Sequence, residues 1–347
     1  MKQNDDSVSV SKAIGIILMV IGHSGCPIWM HDYLYMFHMP LFFFLSGYCF
    51  KAYYFDHKKE YLKKRLKSLY LPYVKWAIVF LLLHNIFFRL NIYNPYYGIE
   101  GEPSVLYPVS EFIRRALRIG LVMDSQEWLL GGYWFFRDLL AASFISLFAL
   151  KIIKRENLLI AILLIVSIVL KYIDIHPSEI VSRFFLDSAF FVTGYQIRKN
   201  ITLIESRLYL AWPCLLIVIL GSVLSPASLA YFEWWQIPHF YVCAFAGSIM
   251  ALLFSKWLSG ISLERLKRSM VYIGNNTIPI LTLHLLCFKA VSLLIIVLRG
   301  YSILRIAEFP TIADAPGFWI LYLFVGLMIP IGISLIINKI SSRNIKR

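Results

Sequence analysis

Lys12 and His23 stand in the run SKAIGIILMVIGH with ten residues between them. On a helix, eleven steps of about 100° make roughly three turns, so both side chains leave one face about 16 Å apart along the axis. An ionisable group inside a bilayer is costly and marks a functional site by default. The spacing matches the reach of an extended pantetheine arm. A cation near the cytoplasmic surface would hold the phosphates of coenzyme A while a deeper neutral imidazole meets the acyl end, so the pair reads as a thioester-handling constellation.

Other residues extend this reading. In YLYMFHMPLFFFLSGYCFK, His38 falls at a depth comparable to His23 if the chain turns back, and the two imidazoles would line one cavity; the plainer account makes His38 a donor across helices. Pro40 loosens the helix there, and Ser46 with Gly47 leaves room for a ligand to approach the backbone. The basic run KKRLKSLYLPY carries Lys63, Lys64, Arg65 and Lys67. It is either ordinary anchoring on the cytoplasmic side or a landing site for coenzyme A phosphates, with the forked guanidinium of Arg65 the best phosphate ligand and Lys63 beside it.

In GGYWFFRDLLAA, Trp134, Arg137 and Asp138 fall at the outer end of a span, where one of them is expected to face an acceptor or an oxyanion. Adjacent helical residues point about 100° apart, so Arg137 and Asp138 need not pair with each other. YIGNNTIPILTLHLL starts a helix at Asn275, Asn276 and Thr277 and places His284 two turns inside, as a catalytic or a structural imidazole. His23, His31, Asp32 and His38 could be read as a metal cluster, but HExxH and other helical ligand pairs are absent, and no metal is expected. Cys26, Cys49, Cys214, Cys243 and Cys287 show no pairing rhythm and read as inert thiols.

These residues need elements that hold them in a membrane. Of 347 residues, 59% are hydrophobic and 16% charged, and the mean hydropathy is +0.69. That composition belongs to an all-α integral membrane protein. Runs able to cross about 30 Å of hydrocarbon suggest a bundle of about ten transmembrane helices, at residues 12 to 29, 34 to 50, 69 to 88, 133 to 150, 158 to 170, 184 to 197, 208 to 224, 237 to 255, 277 to 298 and 317 to 338. The mixed-charge start (Lys2, Asp5, Asp6) and the lack of a small-residue cleavage site argue against a signal peptide, so the first run is expected to remain as a helix.

The net charge of +14 is not a nucleic-acid signature, because Lys and Arg follow alternate connections. Residues 58 to 67 are densely basic, whereas 26 to 33 and 225 to 236 carry no Lys or Arg. This asymmetry puts both termini in the cytoplasm, in a membrane expected to be a bacterial inner membrane.

The chain reads as a single membrane domain, 1–347, without an appended soluble module. Its longest connection, about residues 89–132, is expected to be an outer loop. Within it, Ser110 to Val122 sets apolar residues at helical spacing opposite Arg114, Arg115 and Arg118, the pattern of a surface helix roofing the outer face. The preceding NIYNPYYGIEGEP, with Glu100 and Glu102, suits either sugar rings or headgroup anchoring. No internal repeat is visible, which weakens a transporter reading.

Taken in order, the Lys12 and His23 pair, FHMPLFFFLSG at Phe37 to Gly47, RLKSLYLPY at Arg65 to Tyr73, YWFFRDL at Tyr133 to Leu139, FFVTGYQI at Phe190 to Ile197 and YIGNNTIPILTLH at Tyr272 to His284 resemble the blocks of the membrane acyltransferase-3 family. That family O-acylates carbohydrates and related polar acceptors. The resemblance implies an acyl-coenzyme A donor loaded from the cytoplasm, a catalytic histidine at His23 and its basic partner at Lys12. Arg is commoner at the partner position, and Lys supplies the charge without the fork. Many relatives carry an extra esterase-like domain. This chain is expected to finish the transfer itself or to pass the acyl group to a separate protein.

The sequence therefore leads to O-acetyl transfer from acetyl-CoA, as co-substrate, to a sugar hydroxyl of a cell-envelope polysaccharide or its lipid-linked precursor. His23 would act as base or carry the acyl group, with His38, Arg137 or Ser46 as oxyanion donors. The rival is a multi-pass transporter or flippase using His23, Arg137, Asp138, Lys289 and His284 as relay or binding groups. A partner-binding scaffold is a third reading.

Overall fold

A computed structural model describes residues 6–97, 104–125, 127–173, 178–201 and 207–344. Lys2, Asp5, Glu100 and Glu102 lie outside the described residues. Among the described residues every regular element is helical. Six stretches are long and apolar enough to cross a membrane: Asp6–His23, Lys58–Arg89, Glu156–Ile173, Trp234–Gly260, Thr277–Arg299 and Pro316–Ile337.

In chain order the helices are α1 (Asp6–His23), α2 (Ile28–Tyr35), α3 (His38–Tyr48), α4 (Lys58–Arg65), α5 (Leu71–Arg89), α6 (Val109–Val122), α7 (Trp134–Ile152), α8 (Glu156–Ile173), α9 (Ser178–Lys199), α10 (Ala211–Leu224), α11 (Ile237–Gly260), α12 (Glu264–Asn275), α13 (Thr277–Arg299) and α14 (Trp319–Asn344). A π-helical turn, Leu66–Tyr70, joins α4 to α5.

Two expected spans end differently. The run at 12 to 29 stops at His23, because Gly25 takes a left-handed φ of 78° that few other residues adopt and Pro27 follows. The run at 34 to 50 divides into α2 and α3. Phe37 leaves helical geometry (φ −147°, ψ −17°), and Pro40, which has no N–H to donate, is tolerated in the first turn of α3.

The helices pack as two compact units. The first comprises Met1–Met19, Ile28–Leu69 and Arg137–Asn275. Here α9 packs against both α3 and α8, and α11 against α3 and α10. The approach of α3 to α9 requires glycine on both sides. A Cβ on Gly47 would lie 1.7 Å from the Phe191 carbonyl oxygen, and one on Gly194 would lie 1.9 Å from that of Phe44. The room expected at Gly47 for a ligand is thus taken by a neighbouring helix. Around this crossing Phe50, Tyr54, Tyr61, Phe191 and Tyr195 form an aromatic core, with Phe50 edge-on to Tyr61 at 5.2 Å. Ser11 bonds Ser255 at 2.9 Å, tying α1 to α11.

The second unit comprises Val20–Pro27, Tyr70–Phe136 and Asn276–Arg347. Within it α13 packs on α14 and on the 3-10 turn Trp128–Tyr133, and α5 packs on α6. The Tyr133 and Thr282 hydroxyls lie 2.7 Å apart, fastening that turn to α13.

The amphipathic helix foreseen at 110 to 122 is present as α6. It runs lengthwise beside α5. The Asn85 amide donates to the Tyr107 carbonyl at 3.0 Å near one end, and the Tyr70 hydroxyl donates to the Gly120 carbonyl at 2.7 Å near the other. Val109, Ile113, Leu117 and Leu121 form an exposed apolar row. Glu111 accepts from Arg114 at 2.6 Å and Arg115 at 2.5 Å, and these guanidiniums hold its carboxyl down at about 2.

Candidate active site

His23 is the last residue of α1, and His284 lies two turns inside α13. In the second unit their rings meet. His23 Nδ1 is 2.9 Å from His284 Nε2, with the ring centroids 5.2 Å apart and the planes 14° from parallel. His284 is fully buried. Its Nδ1 lies 3.0 Å from the carbonyl oxygens of both Ile280 and Leu281, one helical turn back. Phe288, one turn forward, stands edge-on to its ring at 5.7 Å. His23 is half-buried, so one imidazole of the pair is sealed into the helix packing and the other keeps an accessible face.

The surrounding backbone is tight. A Cβ on Gly25 would come within 2.9 Å of the Thr311 hydroxyl, and one on Gly131 would meet the Phe309 ring at 3.3 Å. The segment carrying Phe309 and Thr311 is itself pinned, because buried Lys289 donates to the Glu308 carbonyl at 2.7 Å. Arg305 bridges Glu308 and Asp314, and those carboxylates push its guanidinium further up from its ordinary range.

In the first unit, Lys12 opens into a cavity of about 440 Å³ lined also by Val8, Ser9, Tyr48, Cys49, Phe50, Lys51, Arg198 and Asn275. Three of these residues are cationic and none is acidic. Arg198 donates to the Tyr48 hydroxyl at 2.9 Å and lies over its ring at 4.9 Å. Ser9 donates to the Asn275 side chain at 3.0 Å, where α12 meets the start of α1. That meeting is close at Gly274, where a Cβ would sit 1.8 Å from the Ser9 carbonyl oxygen.

The other expected site residues are distributed as follows. Arg65 donates to the Tyr61 hydroxyl at 2.9 Å and to Ser46, bracing α4 against α3, and is not among the residues that line the Lys12 cavity. Lys63 is exposed on α4. His38 is buried in the first unit, with Nδ1 2.8 Å from the Leu34 carbonyl and Tyr35 edge-on at 4.8 Å. Trp134 is half-buried at the start of α7, in the second unit.

Arg137 and Asp138, which helix geometry does not oblige to pair, do so. Arg137 Nε is 3.0 Å from Asp138 Oδ1, and Arg183 of α9 takes Oδ2. Their Cβ directions diverge, but the long Arg side chain folds back to the buried carboxylate, which would otherwise hold an unbalanced charge. Asp187, one turn on from Arg183, is fully buried, and neither carboxyl oxygen has a hydrogen-bond partner among the described residues. His31 and Asp32 pair with each other at 3.1 Å. Among the described residues no three His, Cys, Asp or Glu side chains gather as a metal site.

Reading the sequence missed Arg198 and Lys51. Arg198 directly follows the FFVTGYQI block, and Lys51 directly follows the apolar run of α3, so each had a local signal: a cation at a helix end beside a block already singled out.

Comparison with curated proteins and with solved structures finds no match. A family model described as an acyltransferase domain matches residues 5–339, essentially the whole chain, including both the Lys12 cavity and the histidine pair, and the protein therefore belongs to the acyltransferase-3 family.

Proposed function

We propose that this membrane acyltransferase moves an acetyl group from acetyl-CoA to a sugar hydroxyl of a cell-envelope polysaccharide or its lipid-linked precursor. One observation carries the reading. A single unbroken helix, α1, holds Lys12 at an acid-free cationic cavity and His23 at a paired imidazole, eleven residues further on. At 1.5 Å per residue that is about 16 Å, a pantetheine's reach.

In this account Lys12, Lys51 and Arg198 take the donor's phosphates. Arg65 and Lys63 add to the positive field at the cytoplasmic entrance that draws the donor in. His23 removes the acceptor's proton as the oxygen attacks the thioester carbonyl. The C–O bond forms, the C–S bond breaks, and the proton passes to the departing sulfur. Catalysis by His38 and acceptor contacts through Trp134, Arg137 or Asp138 remain proposals of the same kind. For Arg137 and Asp138 the mutual ion pair favours a structural part.

The membrane arrangement belongs to the proposal as well. The six long apolar stretches, together with α7, α9, α10 and a broken crossing made of α2 and α3, make ten crossings of a bacterial inner membrane with both termini cytoplasmic. No metal or nucleic acid enters the scheme.

Cys49, exposed in the wall of the Lys12 cavity, provides a native reporter. Coenzyme A and adenosine 3′,5′-bisphosphate should each slow its alkylation, read by mass spectrometry, whereas pantetheine should not. Equal alkylation rates with and without coenzyme A would contradict a donor site here.

A further inference from the structure

The contacts of His284 determine more than its own placement. A carbonyl oxygen can only accept, so Nδ1 of His284, 3.0 Å from two carbonyls, must carry a hydrogen. Among the described residues no carboxylate pairs with this fully buried ring, and an unbalanced charge there would be costly, so the ring is neutral and its Nε2 presents a lone pair. That lone pair faces His23 Nδ1 at 2.9 Å. The contact is attractive only if His23 Nδ1 bears the hydrogen; the opposite tautomer would set two lone pairs against each other.

We infer that His284 is a positioning residue that fixes the tautomer of His23, so that Nε2 of His23 is the basic nitrogen meeting the acceptor hydroxyl. This rests on the acyl-transfer reading above. The hydroxyl proton goes to His23 Nε2, and the resulting imidazolium keeps its Nδ1–H on His284 Nε2, a bond that strengthens as the charge develops. The proton then leaves from Nε2 to the thiolate, and both histidines return to their starting states. A carboxylate in the place of His284 would stabilise the imidazolium more but would itself have to be buried as a charge before reaction. A neutral imidazole anchored to its own helix backbone orients the base without that cost.

Substitution and spectroscopy test this. His284→Phe keeps a ring but removes the acceptor, and kcat should fall about 10- to 100-fold, the scale seen when a histidine's outer partner is lost, with KM for the donor unchanged. His284→Gln restores an acceptor oxygen toward His23 and should recover most of kcat. Equal losses in both variants, or full kcat in His284→Phe, would overturn the inference. The second readout needs no turnover. In the ¹⁵N spectrum of histidine-labelled protein in lipid, with His23→Gln giving the assignment, His23 should show a protonated Nδ1 and a bare Nε2. The reverse overturns the inference whatever the activity. Retained transfer in His23→Ala would instead sink the acyl-transfer role of His23.

Discussion

Buried imidazoles with a partner on each ring nitrogen recur in this chain, and His84 is a second case beside His284. Its Nδ1 is 3.0 Å from a carboxylate oxygen of Glu127 and its Nε2 is 3.0 Å from the Val105 carbonyl. Both nitrogens thus face oxygen atoms, and the Tyr107 ring stacks 3.4 Å away. Replacing His84 by Ala would leave the buried Glu127 carboxyl without this partner, a loss of about 1–3 kcal/mol. Thermal unfolding in detergent should show it as a large drop in Tm, with Glu127→Gln milder. A His84→Ala variant as stable as the wild type would contradict the assigned pairing. At this scale legibility followed distance along the chain. Lys12 and His23 were legible because one helix fixes their spacing. The partnership of His23 with His284 was not, because 261 residues separate them and no local pattern encodes which imidazole a helix will bring to another.

Helices meet here through small surfaces, and the crossing of α3 with α9 is the least forgiving. Ala at Gly47 or Gly194 would drive a methyl group into the facing carbonyl, and neither backbone can move without opening the aromatic core beside it. Either substitution should cut folded yield severalfold. Gly120→Ala, with nothing within 4 Å of the new Cβ, should leave yield unchanged and serves as the control. The periodicity of α6 was legible in its sequence, but its neighbour was not, because an amphipathic pattern fixes only that one face is apolar.

The α6 charges give a pH signature. The folded Glu111 carboxyl sits at about 2, below its ordinary 4.5. Its contribution to stability is therefore present above about 4.5 and is lost as pH falls from there through about 2. Proteolytic protection of α6 should thus be constant from pH 7 to 5 and decline below 4.5, and Glu111→Gln should flatten that decline. A decline already complete at pH 5 would assign it to another group.

For the whole molecule, composition and the alternation of basic segments made the membrane class legible before any contact was known. Family membership then favours acyl transfer over transport, although both readings drew on the same intramembrane charges. What composition left out was the division into two packed units, with α1 threading both: its first fourteen residues, Asp6 to Met19, lie in one and Val20 to His23 in the other. A break in α1, such as Pro in place of Ile17, should abolish transfer while leaving the Lys12 cavity able to protect Cys49.

The central claim is tested most directly by the transfer of radiolabel from acetyl-CoA to envelope glycans, using membranes that carry the wild type, His23→Ala or Lys12→Ala at matched protein levels. The account predicts label with the wild type, none above background with His23→Ala, and a raised donor KM with Lys12→Ala. Undiminished labelling by His23→Ala would contradict it.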